Sequence, residues 1–343
     1  MKILLTVFFA LVVLFSAAPA FAQDAGTDLY QQARKLADSR KFKEAIEVYK
    51  KAIQQNPKHA LLFNDLAWCQ LELKQYKEGV ENARIAVRLD PNDHVSRSNL
   101  GWGLIELGQV EDGITEVKAS LKLNPDYDNA HNNLGYAYLK QGRDEEAIVE
   151  FKAAIVINPN YTKAHGNLGA IYFRTGKYRE AAAQAEILVR LEPEIDDNFA
   201  MLGGAYLNLG EHQKAIPAFQ QAVTLDPKNI DNWKSLGISQ MAAGKSEDGI
   251  ATFKQLLVFR PKDYNALFML GIAYNQTSRY DDAIASLKEA LLVKPNSERA
   301  VFSLSLNYIA KGDRDSALEL LPRLKELDKD LAENLEKALG IEK

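Results

Sequence analysis

The chain has 343 residues, of which 47% are hydrophobic and 26% are charged, and its formal net charge at pH 7 is −4. This is the composition of a folded protein and argues against disorder. Because the 42 basic and 46 acidic residues are mixed along the chain, no basic patch predicts nucleic-acid binding. The single cysteine, Cys69, excludes an intramolecular disulfide and a cysteine metal cluster, and we expect it to be a small buried residue.

The first 22 residues differ from the rest of the chain. Lys2 precedes an apolar run from Ile3 to Phe15, and an A-x-A sequence ends at Ala22. This order is typical of a signal peptide, and the run is shorter than the about 20 residues of a membrane-spanning helix. We expect residues 1–22 to be a signal peptide cleaved after Ala22, with an uncleaved anchor as the alternative. The mature protein is then exported to the periplasm, or alternatively to the extracellular space, and no later segment predicts a membrane span.

Eight prolines recur along the chain at a constant interval of 34 residues. They are Pro57, Pro91, Pro125, Pro159, Pro193, Pro227, Pro261 and Pro295. Because proline lacks an N–H group and disfavours helical geometry at its predecessor, each one is predicted to end a helix. With proline at position 32, the nine units are residues 26–59, 60–93, 94–127, 128–161, 162–195, 196–229, 230–263, 264–297 and 298–331. We therefore expect a tandem array over residues 23–331.

Two kinds of position recur inside each unit. Position 15 is glycine or a polar residue, with glycine at Gly108, Gly142, Gly176, Gly210, Gly244 and Gly312. A left-handed residue there can end a helix, so each unit is predicted to contain two helices, A and B, of about 13 or 14 residues. Positions 8 and 20 hold only glycine, alanine or serine, as at Gly101 and Gly113, which predicts close contact between the backbones of the two helices.

The larger side chains around these positions follow the pattern L-G-x2-Y, A-x3-F, P. In the fourth unit they are Leu134, Gly135, Tyr138, Ala147, Phe151 and Pro159, and the seventh unit adds the leading tryptophan, Trp233. The chain therefore resembles the tetratricopeptide repeat family, of an exported bacterial type, over about residues 26–331. The resemblance implies an all-α fold, a right-handed superhelical solenoid of about nine antiparallel helix-turn-helix units with helix A on the concave face and helix B on the convex face. The amphipathic segment from Asp330 to Leu339 predicts a C-terminal capping helix, and the rest of this helix and a tail occupy residues 332–343.

Some positions depart from the family pattern. Position 4, where the family often has a large apolar residue, holds Arg97, His131 and His165. Two histidines without an acidic partner at a fixed spacing are too few for a metal site, so we expect structural roles for them. Pro217 and Pro322 fall inside predicted B helices, where a local kink can form. The repeats contain no catalytic motif, so we expect neither catalysis nor a cofactor.

The resemblance implies that positions 2, 5, 6, 9, 12 and 13 of helix A line a concave groove. Position 6 holds Asn99, Asn133 and Asn167 in three consecutive repeats, and Asn132 stands beside the second. Because an amide both donates and accepts hydrogen bonds, this row is predicted to pair with the backbone of an extended peptide. It resembles the asparagine ladder in the tetratricopeptide superhelix of O-linked N-acetylglucosamine transferases. The alternative is that asparagine is a solvated filler at this position.

Two further sets of side chains are candidates for the groove. Position 9 is aromatic at Trp68, Trp102 and Tyr136, which predicts binding hot spots, with packing against the adjacent helix as the alternative. The later repeats carry apolar candidates, which are Met201, Met241, Phe268 and Met269. These predict a second, apolar half of the groove, or alternatively adaptable packing. The lysine and asparagine of the family's clamp for C-terminal carboxylates are absent from positions 5 and 9, so chaperone tails are not the expected ligands.

These features predict a non-catalytic protein–protein interaction scaffold or adaptor of the bacterial cell envelope. It would bind an extended peptide or a partner protein, whose identity the sequence does not reveal, in the concave groove. The alternative is a self-associating structural protein that forms homo-oligomers through its convex face or its terminal repeats.

Overall fold

The computed structural model describes residues 25–341, so the predicted signal peptide at residues 1–22 lies outside the described residues. Over the described range the chain forms helices joined by short turns, and it contains no β-strand there. Consecutive helices pack as pairs, which confirms the predicted all-α fold of helix-turn-helix units. Contacts divide the chain into two compact units, with the boundary between Asp126 and Tyr127.

The first unit consists of three helix pairs, and its A helices are α1, α3 and α5. Its helices are α1 (Ala25–Asp38), α2 (Phe42–Gln55), α3 (Ala60–Glu72), α4 (Tyr76–Leu89), α5 (His94–Glu106) and α6 (Val110–Leu123). Each A helix packs against the B helix that follows it, and each of the B helices α2 and α4 packs against the next A helix.

The second unit consists of six helix pairs and a final single helix. Its helices are α7 (Asp128–Lys140), α8 (Asp144–Ile157), α9 (Thr162–Arg174), α10 (Tyr178–Leu191), α11 (Asp196–Asn208), α12 (His212–Leu225), α13 (Ile230–Ala242), α14 (Ser246–Phe259), α15 (Tyr264–Gln276), α16 (Tyr280–Val293), α17 (Glu298–Lys311), α18 (Arg314–Leu327) and α19 (Lys329–Leu339). The helices α12 and α18 continue through Pro217 and Pro322 without an interruption.

The C-terminal helix α19 covers the end of the last helix pair. Its N-cap is Asp328, whose side chain accepts a hydrogen bond of 2.9 Å from the backbone N–H of Leu331. Ala332, Leu335 and Leu339 are buried, and α19 contacts both α17 and α18. The predicted capping helix is therefore present, and it shields apolar surface that a further repeat would otherwise cover.

The turn from helix A to helix B is left-handed at position 15 of every repeat. The six glycines there have φ between 73° and 90°, as the sequence predicts. The three other residues at this position, Arg40, Lys74 and Ser278, also have positive φ, between 56° and 60°. Because side chains with a Cβ atom disfavour this conformation, the repeat fold imposes it at a cost in these three turns.

The predicted backbone contact between helices A and B is present in the third repeat, where both positions are glycine. A Cβ atom placed on Gly101 would lie 2.9 Å from the carbonyl oxygen of Gly113, and one placed on Gly113 would lie 2.8 Å from that of Gly101. In other repeats, a phenylalanine ring of helix B covers the glycine of helix A. A Cβ atom on Gly237, for example, would lie 2.6 Å from Cζ of Phe253. Small residues therefore admit either the opposite backbone or an aromatic ring.

Side chains at position 4 make hydrogen bonds to the turns between repeats. Their N–H groups donate to the carbonyl oxygen of the preceding joint proline, at 2.9 Å in each of three pairs: Arg97 Nε to Pro91, His165 Nε2 to Pro159, and Trp233 Nε1 to Pro227. The other ring nitrogen of His165 lies 2.8 Å from Oε1 of Gln184, and Nδ1 of His131 lies 2.7 Å from Oε2 of Glu150. Arg97, His131 and His165, which depart from the family pattern, therefore have structural partners within the stack.

Candidate functional site

In the first unit, an asparagine from each of two neighbouring A helices forms a hydrogen-bonded pair. Nδ2 of the half-buried Asn99 on α5 donates to Oδ1 of Asn64 on α3, over 2.9 Å. Asn64 has only 2% of its surface exposed, and its own Nδ2 donates to Oδ1 of Asp65 over 3.1 Å. The Asn99 amide is therefore held in one orientation by a buried partner.

Asp65 extends this polar chain to the first helix. Its carboxylate accepts hydrogen bonds from the hydroxyl of Tyr49, at 3.4 Å, and from Nη1 of Arg34 on α1, at 3.5 Å. Burial raises the pKa of the Asp65 carboxyl, and the nearby Arg34 guanidinium opposes this shift. Arg34, Asp65, Asn64 and Asn99 thus form a continuous polar chain across α1, α3 and α5.

The second unit repeats the same pair in the same register. Nδ2 of Asn167 on α9 donates to Oδ1 of Asn132 on α7, over 3.1 Å. Asn132 is 6% exposed, whereas Asn167 is half-buried. In both units the donor stands at position 6 of one repeat and the acceptor at position 5 of the repeat before it. Asn133, the remaining member of the predicted row, is half-buried on α7.

The asparagine pairs, Asn64–Asn99 and Asn132–Asn167, leave hydrogen-bonding groups for a ligand. An amide has two N–H donors and a carbonyl oxygen that accepts two bonds, and the pair uses one N–H of Asn99 or Asn167. Within the described residues, neither of these two side chains makes another hydrogen bond. Each therefore presents a second N–H and its oxygen in a fixed orientation.

The predicted aromatic row lies at half-buried positions. Trp68 packs edge-to-face on Phe42 of α2, with ring centroids 5.4 Å apart at 85°, so it contributes to the contact between repeats. Nζ of Lys140 lies 5.1 Å from the centre of the Tyr136 ring. Trp102 is half-buried on α5. Packing therefore engages Trp68 at least, and a binding role for the row stays a prediction.

Three of the four apolar candidates are half-buried on A helices of the second unit. Sδ of Met201 would lie 2.9 Å from a Cβ atom placed on Gly169, so Met201 packs against the preceding A helix, α9. Phe268 stacks on Tyr264, with centroids 6.0 Å apart at 14°, and Met269 packs against the core. These side chains are partly available to a ligand and partly used in packing.

Met241 is not a groove residue, so that assignment was wrong. Its side chain is only 7% exposed, and its Cγ would lie 2.8 Å from a Cβ atom placed on Gly249, at position 20 of the same repeat. Leu71 occupies the corresponding space beside Gly79. Where position 20 is glycine, the side chain at position 12 can move inward against helix B, which the alignment of positions does not reveal.

The sequence interpretation also missed Arg34, Asp65 and the acceptor role of Asn64. A usable signal was present, because asparagines at position 5 of one repeat and position 6 of the next are 35 residues apart in both units. Such residues lie on neighbouring A helices, so the spacing predicts contact between them.

The described residues contain neither a metal-binding cluster nor a membrane-spanning helix. Among the described residues, no group of three or more histidine, cysteine, aspartate and glutamate side chains could hold a metal ion. Over the same range, no helix has the length and apolar character needed to cross a bilayer.

Paired helices with left-handed turns, small residues at the crossings and proline joints define a helical repeat protein of the scaffold class. Residues 116–338 match the family model of the C-terminal domain of cilia and flagella-associated protein 70, and residues 36–94 match a tetratricopeptide repeat model. The chain belongs to the tetratricopeptide repeat family. No curated protein is significantly similar to it in sequence.

Three solved structures are each similar to about half of the chain. YrrB, a tetratricopeptide protein with an unusual peptide-binding site, is 20% identical, with a TM-score of 0.51 over 54% of this chain and 95% of YrrB. TTC0263, a protein of Thermus thermophilus, is 21% identical, with a TM-score of 0.49 over 53% of this chain and all of TTC0263. MamA is 22% identical, with a TM-score of 0.47 over 50% of this chain and 94% of MamA. At 20% identity, the similarity to YrrB establishes the fold alone.

Proposed function

We propose that this protein is a non-catalytic scaffold that binds an extended peptide segment of a partner protein along the A helices of each unit. The tetratricopeptide fold indicates a protein–protein interaction scaffold in general terms. The observation that supports the finer proposal is the recurrence of the asparagine pair, at 2.9 Å in one unit and 3.1 Å in the other.

Orientation of the amides favours binding to a peptide backbone. A free asparagine side chain loses rotational freedom when it binds, whereas Asn99 and Asn167 are already held by their buried partners. The groups that they present match one peptide C=O and one peptide N–H. Since these groups occur in every peptide unit, the asparagines would bind peptides of many sequences. The flanking aromatic residues would then select among the side chains of the ligand.

We further propose that binding takes place in the bacterial cell envelope, in the periplasm. This part of the proposal rests on the signal-peptide pattern of residues 1–22. Fractionation of cells expressing the full chain would test it, and recovery of the protein in the cytoplasm with its N-terminus intact would contradict it.

Two double variants separate ligand binding from contact between repeats. Asn99→Ala with Asn167→Ala removes both pairs together with the groups offered to the ligand. Asn64→Ala with Asn132→Ala removes the same two hydrogen bonds, but keeps the half-exposed amides. Peptides selected from a random displayed library on the native protein would be titrated against all three proteins by fluorescence anisotropy.

We expect each unit of the first double variant to bind a peptide more weakly by about 2 kcal/mol, roughly thirtyfold in Kd, because each unit loses two hydrogen bonds of about 1 kcal/mol. The second should lose clearly less affinity. Methylation of the backbone nitrogens of the selected peptide should weaken binding to the native protein. Equal losses in the two variants would assign the asparagines to packing between repeats and contradict the proposal.

A further inference from the structure

The ends of α14 and α16 differ from the other B helices at the residue that follows the helix. In seven repeats this residue, at position 31, has an oxygen acceptor in its side chain: Asn56, Asp90, Asn124, Asn158, Glu192, Asp226 and Asp328. In the two remaining repeats it is Arg260 and Lys294. These two repeats are neighbours in the second unit.

Arg260 and Lys294 cannot accept a local hydrogen bond that forms in other turns between repeats. Oδ1 of Asp226 accepts from the backbone N–H of Lys228 over 2.9 Å, and Oδ1 of Asn158 accepts from that of Asn160 over 3.2 Å. Arginine and lysine have no acceptor atom, so this turn-stabilising bond cannot form at Arg260 or Lys294. We therefore expect Arg260 and Lys294 to make an interaction that offsets the loss of this hydrogen bond.

The helix dipole does not account for this arrangement. A cation near the C-terminus of a helix is favourable, but α8 and α12 have no basic residue in the last turn and still keep an acceptor, Asn158 and Asp226, at position 31. In α14 and α16 position 29 is Val258 and Leu292, with 70% and 83% of their surfaces exposed.

Exposed apolar and basic side chains therefore meet at these two helix ends. We name the basic–apolar surface by its six residues, Val258, Phe259, Arg260, Leu292, Val293 and Lys294, all of which are exposed. Nζ of Lys294 lies 5.5 Å from the ring centre of Tyr264, the first residue of α15, which follows the loop that contains Arg260. The end of α16 thus lies beside the loop at the end of α14.

Further cations flank the apolar side chains. Lys254 precedes Val258 by one helical turn, and Lys288 precedes Leu292 by one turn, so each pair shares a helix face. Both lysines are exposed, and Lys262 adds a further charge in the loop. The carboxylate of Asp263 in that loop is half-buried and lies 3.4 Å from Nζ of Lys234.

We propose that the basic–apolar surface binds the headgroup region of an anionic lipid bilayer. Protruding valine and leucine side chains can enter the fluid interface of a bilayer without a preformed groove, whereas a peptide would need one to bury its own side chains. The surrounding lysine and arginine side chains attract acidic headgroups. The surface lies on B helices, so within the second unit it leaves the Asn132–Asn167 pair on the A helices available to a peptide.

Vesicle flotation with the full chain tests this proposal. Vesicles of phosphatidylcholine would be compared with vesicles of equal parts phosphatidylcholine and phosphatidylglycerol. The charge variant is Arg260→Asn with Lys294→Asn, which restores the residue type of the other turns. The apolar variant is Val258→Ser with Leu292→Ser. The matched control is Val156→Ser, which is also at position 29 and is 80% exposed, but is followed by Asn158 at position 31.

The native protein should bind the anionic vesicles, and added salt should weaken the binding. Each cation removed should lower partitioning about fivefold, so the charge variant should lose about 25-fold. The apolar variant should lose at least about tenfold, and the control should lose less than about twofold. Residues 1–22 are common to all four proteins, so the differences report on the surface.

Three results would overturn the proposal. The first is equal binding of the native protein and the charge variant to anionic vesicles. The second is a loss in Val156→Ser as large as that in the apolar variant. The third is salt-sensitive binding to soluble polyglutamate without binding to vesicles, which would assign the surface to an acidic protein partner. Circular dichroism should give the same helix content and Tm for the charge variant as for the native protein, or a slightly higher Tm.

Discussion

Glycine-to-alanine substitutions at two helical positions should have opposite effects on stability. At Gly101 on α5, the added Cβ atom would overlap Cγ2 of Val117 and would lie 2.9 Å from the carbonyl oxygen of Gly113 and 3.1 Å from the backbone nitrogen of Val117. At Gly166 on α9, no atom lies within 4 Å of the added Cβ atom. The two substitutions make the same chemical change in different surroundings.

The expected magnitudes follow from two opposing effects. Alanine stabilises a helix interior by about 1 kcal/mol relative to glycine, and at Gly166 nothing opposes this gain. At Gly101, α5 and α6 must separate, because two of the three contacted atoms belong to the backbone and cannot rotate away. Overpacking of this kind costs about 1–3 kcal/mol, and we expect the upper part of that range. The net result is a loss of about 1–2 kcal/mol for Gly101→Ala and a gain of about 1 kcal/mol for Gly166→Ala.

Urea unfolding followed by circular dichroism would measure both changes. The midpoint should fall for Gly101→Ala and rise for Gly166→Ala, without a change in the slope of the transition. A rise in both midpoints would refute the reasoning, because helix propensity would then outweigh the contact between α5 and α6.

Three further predictions concern a turn, a buried carboxyl group and the terminal helix. Lys74→Gly should raise stability by about 1 kcal/mol, because Lys74 has φ of 60°, and Gly142→Ala, at φ of 73°, should lower it by about the same amount; Tm measurements would show both. Burial raises the pKa of the Asp65 carboxyl, so the folded state favours its protonated form. The Asp65 contribution to the free energy of unfolding should therefore increase as pH falls from 7 towards the ordinary carboxyl pKa of about 4. The change in the free energy of unfolding caused by Asp65→Asn, measured by urea unfolding, should accordingly be more favourable at pH 7 than at pH 4, and a pH-independent change would contradict this. Leu335→Ala should cost about 2–5 kcal/mol, since this side chain of α19 is fully buried, and an unchanged urea midpoint would show that the helix adds no stability.

The repeat architecture could be predicted from the sequence because its signals are local. A proline at each joint and a left-handed residue at each turn act on the backbone within a few residues. Position 15 adopts positive φ even where Arg40 replaces glycine, so the turn follows the repeat pattern as well as the residue type. The contact between helices A and B is not local, but it could be predicted because close approach of two helices requires small residues, which stand at positions 8 and 20.

The candidate site was predicted in part. Asn99 and Asn167 were identified from their register, but their buried partners were not, because a hydrogen bond between A helices depends on how neighbouring repeats are oriented.

Met241 was assigned to the groove because position 12 faces the groove in the family pattern. Its side chain instead lies in the core, because Gly249 has no Cβ atom and leaves space for it there. The backbone conformation within one repeat can therefore be predicted from the sequence. The side-chain surroundings depend on the packing between helices, where a single missing Cβ atom changes which side chain is buried.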